Sequence, residues 1–245
     1  MRNKVRRAND RSCGKGFRRL FKTFFPARRK TYKRAATFFQ ISSETVLSAD
    51  LKIAAVGVDT PPPQWYYICM KFLIASDIHG SAEYCRLTAE AFAREKADKL
   101  LLLGDILYHG PRNPLPAEYS PQEVVRILSG LKNKIICVQG NCDSEVDQMV
   151  LPFPVLCGYA AVFADRLEMI LSHGHRETPP LKTGSVYITG HTHVPLNAVE
   201  NGCYHLNPGS VSLPKEGSGH GYIVYENRTF AFKTFDGNIY DKLSI

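Results

Sequence analysis

MKFLIASDIHG, residues 70–80, decides the reading of this chain. KFLIAS (71–76) is a short apolar run that stops at polar residues, which suits a buried strand. Asp77 and His79 stand just past its end, two residues apart. In extended chain, positions i and i+2 project to the same side, so a carboxylate and an imidazole address one point in space.

The same design repeats downstream. KLLLLGD (99–105) is a second apolar run and delivers Asp105; KIICVQGN (134–141) is a third and delivers Asn141. Between the first two, Ala82, Cys85, Ala89, Phe92 and Ala93 recur at helical spacing, with Ser81 placed to cap. Between the second and third, a Pro- and Gly-rich loop leads to PQEVVRILSGL, whose Pro121 opens another helix. The order β-α-β-α-β predicts a parallel sheet with helical crossovers, and such sheets bind ligands at the carboxyl ends of their strands.

The second half is richer in strand, with turns every few residues, and predicts a second, mostly antiparallel sheet. RLEMILSHGH delivers His173, and SVYITGHTH delivers His191 and His193, again at i and i+2. Two sheets packed face to face and flanked by helices accommodate the whole.

Collected, the strand ends hold two carboxylates (Asp77, Asp105), four imidazoles (His79, His173, His191, His193) and one amide (Asn141). A glycine adjoins most of them and lets the backbone turn sharply there. Seven nitrogen and oxygen ligands are too many for one ion and suit two, with a shared carboxylate. The scarcity of cysteine among them argues against a structural zinc site. The mixture fits Mn²⁺, Fe²⁺, Zn²⁺ or Ni²⁺ without ranking them. Two metals roughly 3.5–4 Å apart form the usual clamp for in-line displacement at phosphorus.

Charge divides the chain. Of 31 Lys/Arg and 23 Asp/Glu, residues 1–69 hold 15 and 4, a balance of +11, and residues 70–245 hold 16 and 19, a balance of −3. All eight histidines lie in the second part. Residues 1–69 show no sustained period and no signal-peptide apolar core. A transit peptide and an arm for a polyanion, nucleic acid or anionic membrane, are both open. The preferred expectation is upstream translated sequence: a disordered basic extension outside the natural product, followed by the domain at 70–245. Seven cysteines without paired spacing suit reduced thiols and a cytoplasmic location, and no run of about 18 apolar residues suggests a membrane span.

The motifs D-x-H, GD, GN, HGH and GHTH, in this order, resemble those of the calcineurin-like metallophosphoesterase superfamily, from Met70 to the C-terminus. SDIHGS, GDILYHGPRNPLP, GNCDSEVDQM and NPGSVSLPK sharpen the resemblance to its YfcE-type bacterial phosphodiesterases. The resemblance implies a four-layer α/β/β/α sandwich and two divalent ions, Mn²⁺ foremost. It places Asp77, His79, Asp105 and His193 on the first ion, and Asp105, Asn141, His173 and His191 on the second. It implies hydrolysis of phosphodiesters by a metal-bridging hydroxide, in preference to monoesters. A phosphomonoesterase or protein phosphatase on the same ligands is the alternative. A non-catalytic scaffold of this fold, as in a eukaryotic retromer subunit, is disfavoured because all seven positions hold competent ligands.

Asp105, Asn141, Cys142 and His175 are the expected catalytic residues. Cys142 stands where many superfamily members carry a histidine thought to protonate the leaving group, and a thiol near pKa 8.5 suits that task poorly. His175 and His109 are the substitutes for it. Arg112 is expected to meet a substrate phosphate, with Asn113 and His109 beside it. The expected partner is a small phosphodiester, with no membrane. Nucleic acid enters only if residues 1–69 are natural, and a homo-oligomer is open through strands such as RTFAFKTF. HGHRETPPLKTG (173–184) is close to the minimum length for joining two parallel strands, and its Pro-Pro pair excludes a regular helix.

Overall fold

The computed structural model describes residues 70–245; the expectations for residues 1–69 lie outside the described residues. The apolar runs fold as read. β1 (Phe72–Ala75), β2 (Lys99–Leu102) and β3 (Ile135–Cys137) are parallel neighbours, joined through α1 (Ala82–Glu95) and α2 (Pro121–Ser129). The Ser81 hydroxyl accepts the Tyr84 N–H at the start of α1, and Lys96 ends it in the left-handed conformation. α1 buries Ala82, Cys85, Thr88, Ala91 and Phe92; Ala93, expected inside, faces solvent.

The remaining elements are α3 (Glu145–Val150), β4 (Tyr159–Ala164), β5 (Leu167–Ser172), β6 (Val186–Ile188), β7 (Pro195–Glu200), β8 (Cys203–Pro208), β9 (Gly221–Glu226), β10 (Thr229–Thr234) and β11 (Ile239–Ser244). They do not form one antiparallel sheet, as the sequence suggested. β9, β10 and β11 extend the first sheet, in the order β11-β10-β9-β1-β2-β3, with β9 antiparallel to β1. The second sheet, β4-β5-β6-β8-β7, is mixed, because β5-β6 and β6-β8 are parallel. β10 has both edges occupied, by β9 and β11, so RTFAFKTF offers no free edge to a second subunit.

Strand alternation builds two cores. Leu73, Ala75, Leu100, Leu102, Tyr222 and Val224 face the helices, where Cys85, Phe92, Val124 and Leu128 meet them. Phe72, Ile74, Leu101, Leu103, Ile223 and Tyr225 face the second sheet and pack on Met169, Leu171, Val186, Ile188 and Leu206. The first sheet is thus buried on both faces, which explains why its parallel strands are uninterrupted apolar runs.

The sandwich implied by the resemblance is present with its fourth layer thinned. Over the outer face of β6 and β8, residues 178–181 run as irregular chain beside Tyr187 and His205. Pro179-Pro180 and the short link between the parallel β5 and β6 account for the absence of a helix there.

Candidate metal centre

The carboxyl ends of β1, β2, β3, β5 and β6 meet at one place, and the sequence-selected residues sit there. Asp77, His79, Asp105, His173 and His193 are all buried, none more than 2% exposed. Five of the seven expected ligands adopt positive φ: Asp77 58°, His79 51°, Asp105 54°, His191 69° and His193 64°. For residues other than glycine this costs roughly 1 kcal/mol or more each, and such outliers cluster at functional sites. The strands end in sharp turns that aim side chains inward.

Glycine makes room beside two of these turns. A Cβ on Gly140 would lie 2.0 Å from Asp105 Oδ1, and one on Gly190 would lie 2.8 Å from Asp77 Oδ2. At both places the backbone packs directly against a carboxylate, where no side chain fits.

Three imidazoles are oriented alike. Nδ1–H donates to a backbone carbonyl in His79 (Tyr108 O, 2.8 Å), His173 (Leu103 O, 2.7 Å) and His193 (Leu213 O, 2.7 Å). A carbonyl can only accept, so each Nδ1 carries a proton and each Nε2 points to the centre, with a lone pair to offer when the ring is neutral. His79 Nε2 and His193 Nε2 lie 3.1 Å apart. Two lone pairs cannot meet at that distance without a proton or a cation between them. His193 Nε2 is 3.2 Å from Asp77 Oδ1, and His173 Nε2 is 3.4 Å from Asp105 Oδ2.

The donor set fits divalent ions. Asp77 Oδ1 is buried and accepts no hydrogen bond, although Oδ2 is held by Ser76 Oγ (2.5 Å) and the His191 N–H (3.0 Å). A buried carboxylate oxygen left bare is costly unless a cation meets it. Asp77, His79 and His193 form one group whose ligand atoms lie within 4.8 Å of one another; Asp77, Asp105 and His173 form another. A third joins His79 and Asp105 with the Cys142 sulfur. Asn141 Oδ1 lies 3.1 Å from His173 Nε2, and the His191 ring centroid lies 5.1 Å from that of His173.

The charges respond to this crowding. Burial pushes Asp77 up, but the facing imidazoles of His193, His79 and His173 overcome it and hold the carboxyl far below its usual range. Asp105 is lowered the same way: burial opposes, while His173 prevails. Burial lowers His173, yet Asp105 and Asp77 raise it to about 9. Burial, helped by the charge of Asp105, pushes the Cys142 thiol up to about 12.

One residue of this centre went unread in the sequence. Asp143 is buried and its carboxylate accepts three backbone N–H groups: Asp105 (2.8 Å), Ile106 (2.8 Å) and Gly140 (2.7 Å). It ties the turn after β2 to the turn after β3, and Asp105 Oδ1 in return accepts the Cys142 N–H at 2.8 Å. The signal available was a carboxylate two residues past Asn141.

Above the ligands opens a cavity of about 460 Å³. Asp105, Asn141, Cys142, His191 and His193 line it, as do Arg112, Asn113 and Lys215, the last of which was not singled out. His109 and His175 are not among its lining residues. His109 packs edge-on against Tyr108 and Tyr119, and His175 sits against His173 and His191. Burial and the neighbouring charges of His173 and Arg176 lower the His175 pKa.

A two-sheet sandwich with carboxylates and imidazoles gathered at its strand ends defines a metallophosphoesterase. The chain belongs to the calcineurin-like phosphoesterase superfamily, whose family profile matches residues 70–229. The chain is 43% identical over 162 residues to phosphodiesterase YfcE of Escherichia coli K12, covering 64% of this chain and 88% of that one. The solved structure of E. coli YfcE, described as a phosphoesterase, superposes with a TM-score of 0.70 at 41% identity, covering 72% of this chain and all of that one. Vacuolar protein sorting 29 from Cryptosporidium parvum shares the fold, with a TM-score of 0.51 at 20% identity over 72% of this chain and 99% of that one. Among the described residues no helix is long and apolar enough to cross a membrane.

Proposed function

We propose that this chain is a metal-dependent phosphodiesterase acting on a small phosphodiester through two divalent ions. The observation that carries the reading is the inward convergence of Asp77 and Asp105 with three Nε2 atoms whose Nδ1 partners are fixed. Identity of 43% to a phosphodiesterase supports diesters over monoesters.

Asp77, His79 and His193 would hold one ion, and Asn141, His173 and His191 the other, with Asp105 shared; Mn²⁺ is the ion we expect. Bound there, such ions supply a nucleophile at neutral pH and neutralise charge growing on the phosphoryl oxygens. The chain's own part is to hold the ligands rigid. The carbonyls of Tyr108, Leu103 and Leu213 fix the imidazole tautomers, and Asp143 fixes the turn that carries Asp105. Arg112 and Asn113 line the cavity over the ligands, which supports assigning them to the substrate.

Protonation of the leaving group is the weak point of this machinery. In the metal-free chain burial and the charge of Asp105 push the Cys142 thiol up to about 12, which suits it poorly to that task at neutral pH. His175, its pKa lowered, is neutral there and has no extra proton to give. Substrates whose leaving groups depart as stable anions are therefore favoured.

The test is hydrolysis of bis-p-nitrophenyl phosphate beside p-nitrophenyl phosphate, with protein stripped by chelator and refilled with Mn²⁺. Metal-dependent cleavage favouring the diester is expected. Preference for the monoester would transfer the reading to a phosphomonoesterase, and no cleavage of either would oppose the enzyme reading.

A further inference from the structure

Two positive charges that line the cavity have no ion-pair partner among the described residues. Arg112 comes from the loop after β2, and Lys215 from the loop after β8; both line the cavity above the ligands. The Lys and Arg ion pairs of the described residues involve other side chains: Lys71, Arg86, Arg126, Lys182 and Lys233. Asp105 is the one carboxylate among the lining residues, and it faces His173.

The Lys215 backbone is held in place, and its ammonium group makes no ion pair among the described residues. Its N–H donates to the His193 carbonyl at 3.2 Å, and its carbonyl accepts the Ser218 N–H at 3.0 Å and the Ser218 hydroxyl at 2.6 Å. The lysine is thus anchored to the segment that carries a candidate ligand. On the other loop, the Asn113 side-chain amide donates to the His109 carbonyl at 2.9 Å and closes the turn around Arg112.

A dialkyl or diaryl phosphodiester carries one negative charge. The divalent ions that the ligand cluster would hold already meet it, and a cavity of about 460 Å³ is far larger than one phosphate group. Cations that line such a space attract anions and select among them by charge complementarity.

We propose that Lys215 and Arg112 form a second anion subsite, so that the preferred substrate is a small phosphodiester bearing a second phosphate at the far side of the molecule. This rests on the phosphodiesterase reading and deepens it. An arginine fork grips two phosphate oxygens at once, and a lysine adds a point charge.

Two chromogenic diesters test this with the full chain loaded with Mn²⁺: the p-nitrophenyl ester of thymidine 5′-phosphate, and the same ester carrying a 3′-phosphate. The expected result is a KM at least about tenfold lower for the 3′-phosphorylated ester, which is the effect of about 1.4 kcal/mol of added binding. In Lys215→Ala the two KM values converge, and Lys215→Arg restores the difference, which loss of folding would not do. Equal KM values in the wild type, or a preference that survives Lys215→Ala, would overturn the subsite while leaving the phosphodiesterase reading intact. Calorimetric binding of thymidine 3′,5′-bisphosphate against thymidine 5′-monophosphate needs no turnover. Tighter, Lys215-dependent binding of the bisphosphate supports the subsite even if both esters resist cleavage, and equal binding overturns it.

Discussion

Replacing Asp143 by Asn separates a role in positioning from a role in stability. In the native chain Oδ2 accepts from Asp105 and Gly140, and Oδ1 accepts from Ile106. An Asn oxygen in the Oδ2 place keeps two of these bonds without charge assistance. Its amide nitrogen then opposes the Ile106 N–H, leaving one buried donor unpaired. The lost charge assistance and the unpaired donor together cost about 3–5 kcal/mol. Against this, burial, with the charge of Asp105, raises Asp143 to about 6, so removing the buried charge offsets part of that cost. The net loss of stability is therefore smaller than that cost, and lowers Tm by several degrees in a domain of this size. The turn bearing Asp105 loses its registration to the turn bearing Asn141, and groups of this kind, one bond removed from the ligands, typically cost about 10–100-fold in metal affinity. The assay is a calorimetric Mn²⁺ titration of stripped Asp143→Asn protein, with thermal unfolding of the metal-free chain in parallel. Wild-type Mn²⁺ affinity in a normally folded variant would refute the positioning argument.

The remaining predictions concern the ligands and their neighbours. Asp77→Asn should abolish Mn²⁺ binding at the Asp77–His79–His193 group and reduce diester hydrolysis by about 10³-fold or more, because a charge that faces two imidazoles is lost; paired calorimetry and kinetics check this. Cys142→Ala should retain hydrolysis of bis-p-nitrophenyl phosphate within about threefold, since a thiol near 12 donates no proton at neutral pH; a loss of about 100-fold, with a shifted pH profile, would make Cys142 the acid after all. His173 in the metal-free chain stays protonated up to about pH 9, so its raised pKa stabilises that form fully below about 6.5 and the contribution is lost as pH rises through about 9. Mn²⁺ must displace this proton, so apparent affinity should climb by up to about tenfold per pH unit between 7 and 9, with proton release measurable in buffers of different ionisation enthalpy. Gly190→Ala should lower both Tm and Mn²⁺ affinity, because its Cβ would lie 2.0 Å from Ser76 Oγ and press on Asp77.

Much of the site was legible because its ligands follow apolar runs of strand length. Asp77, Asp105, Asn141, His173, His191 and His193 each stand just past such a run, and periodicity places them on one rim without any knowledge of the sheets. What local pattern could not supply was non-local. β9 pairs with β1 across nearly 150 residues of chain, and GYIVYE reads the same whether it joins the first sheet or the second. α3 has six residues and buries none of them, so it leaves no apolar stripe to find. Asp143 acts through three backbone N–H groups, and no side-chain motif marks a carboxylate whose partners are main chain. Lys215 looks like any loop lysine until the turn after β8 is seen against the ligands. The N-terminal expectations lie outside the described residues.

The most direct test of the central claim is the stoichiometry of metal against activity. Stripped protein is titrated with Mn²⁺ while bound metal and hydrolysis of bis-p-nitrophenyl phosphate are followed together, with Asp105→Asn alongside. The account predicts activity that rises to a maximum at two ions per chain, and a variant that binds less metal and is inactive. Hydrolysis independent of Mn²⁺, or retained in Asp105→Asn, would contradict it.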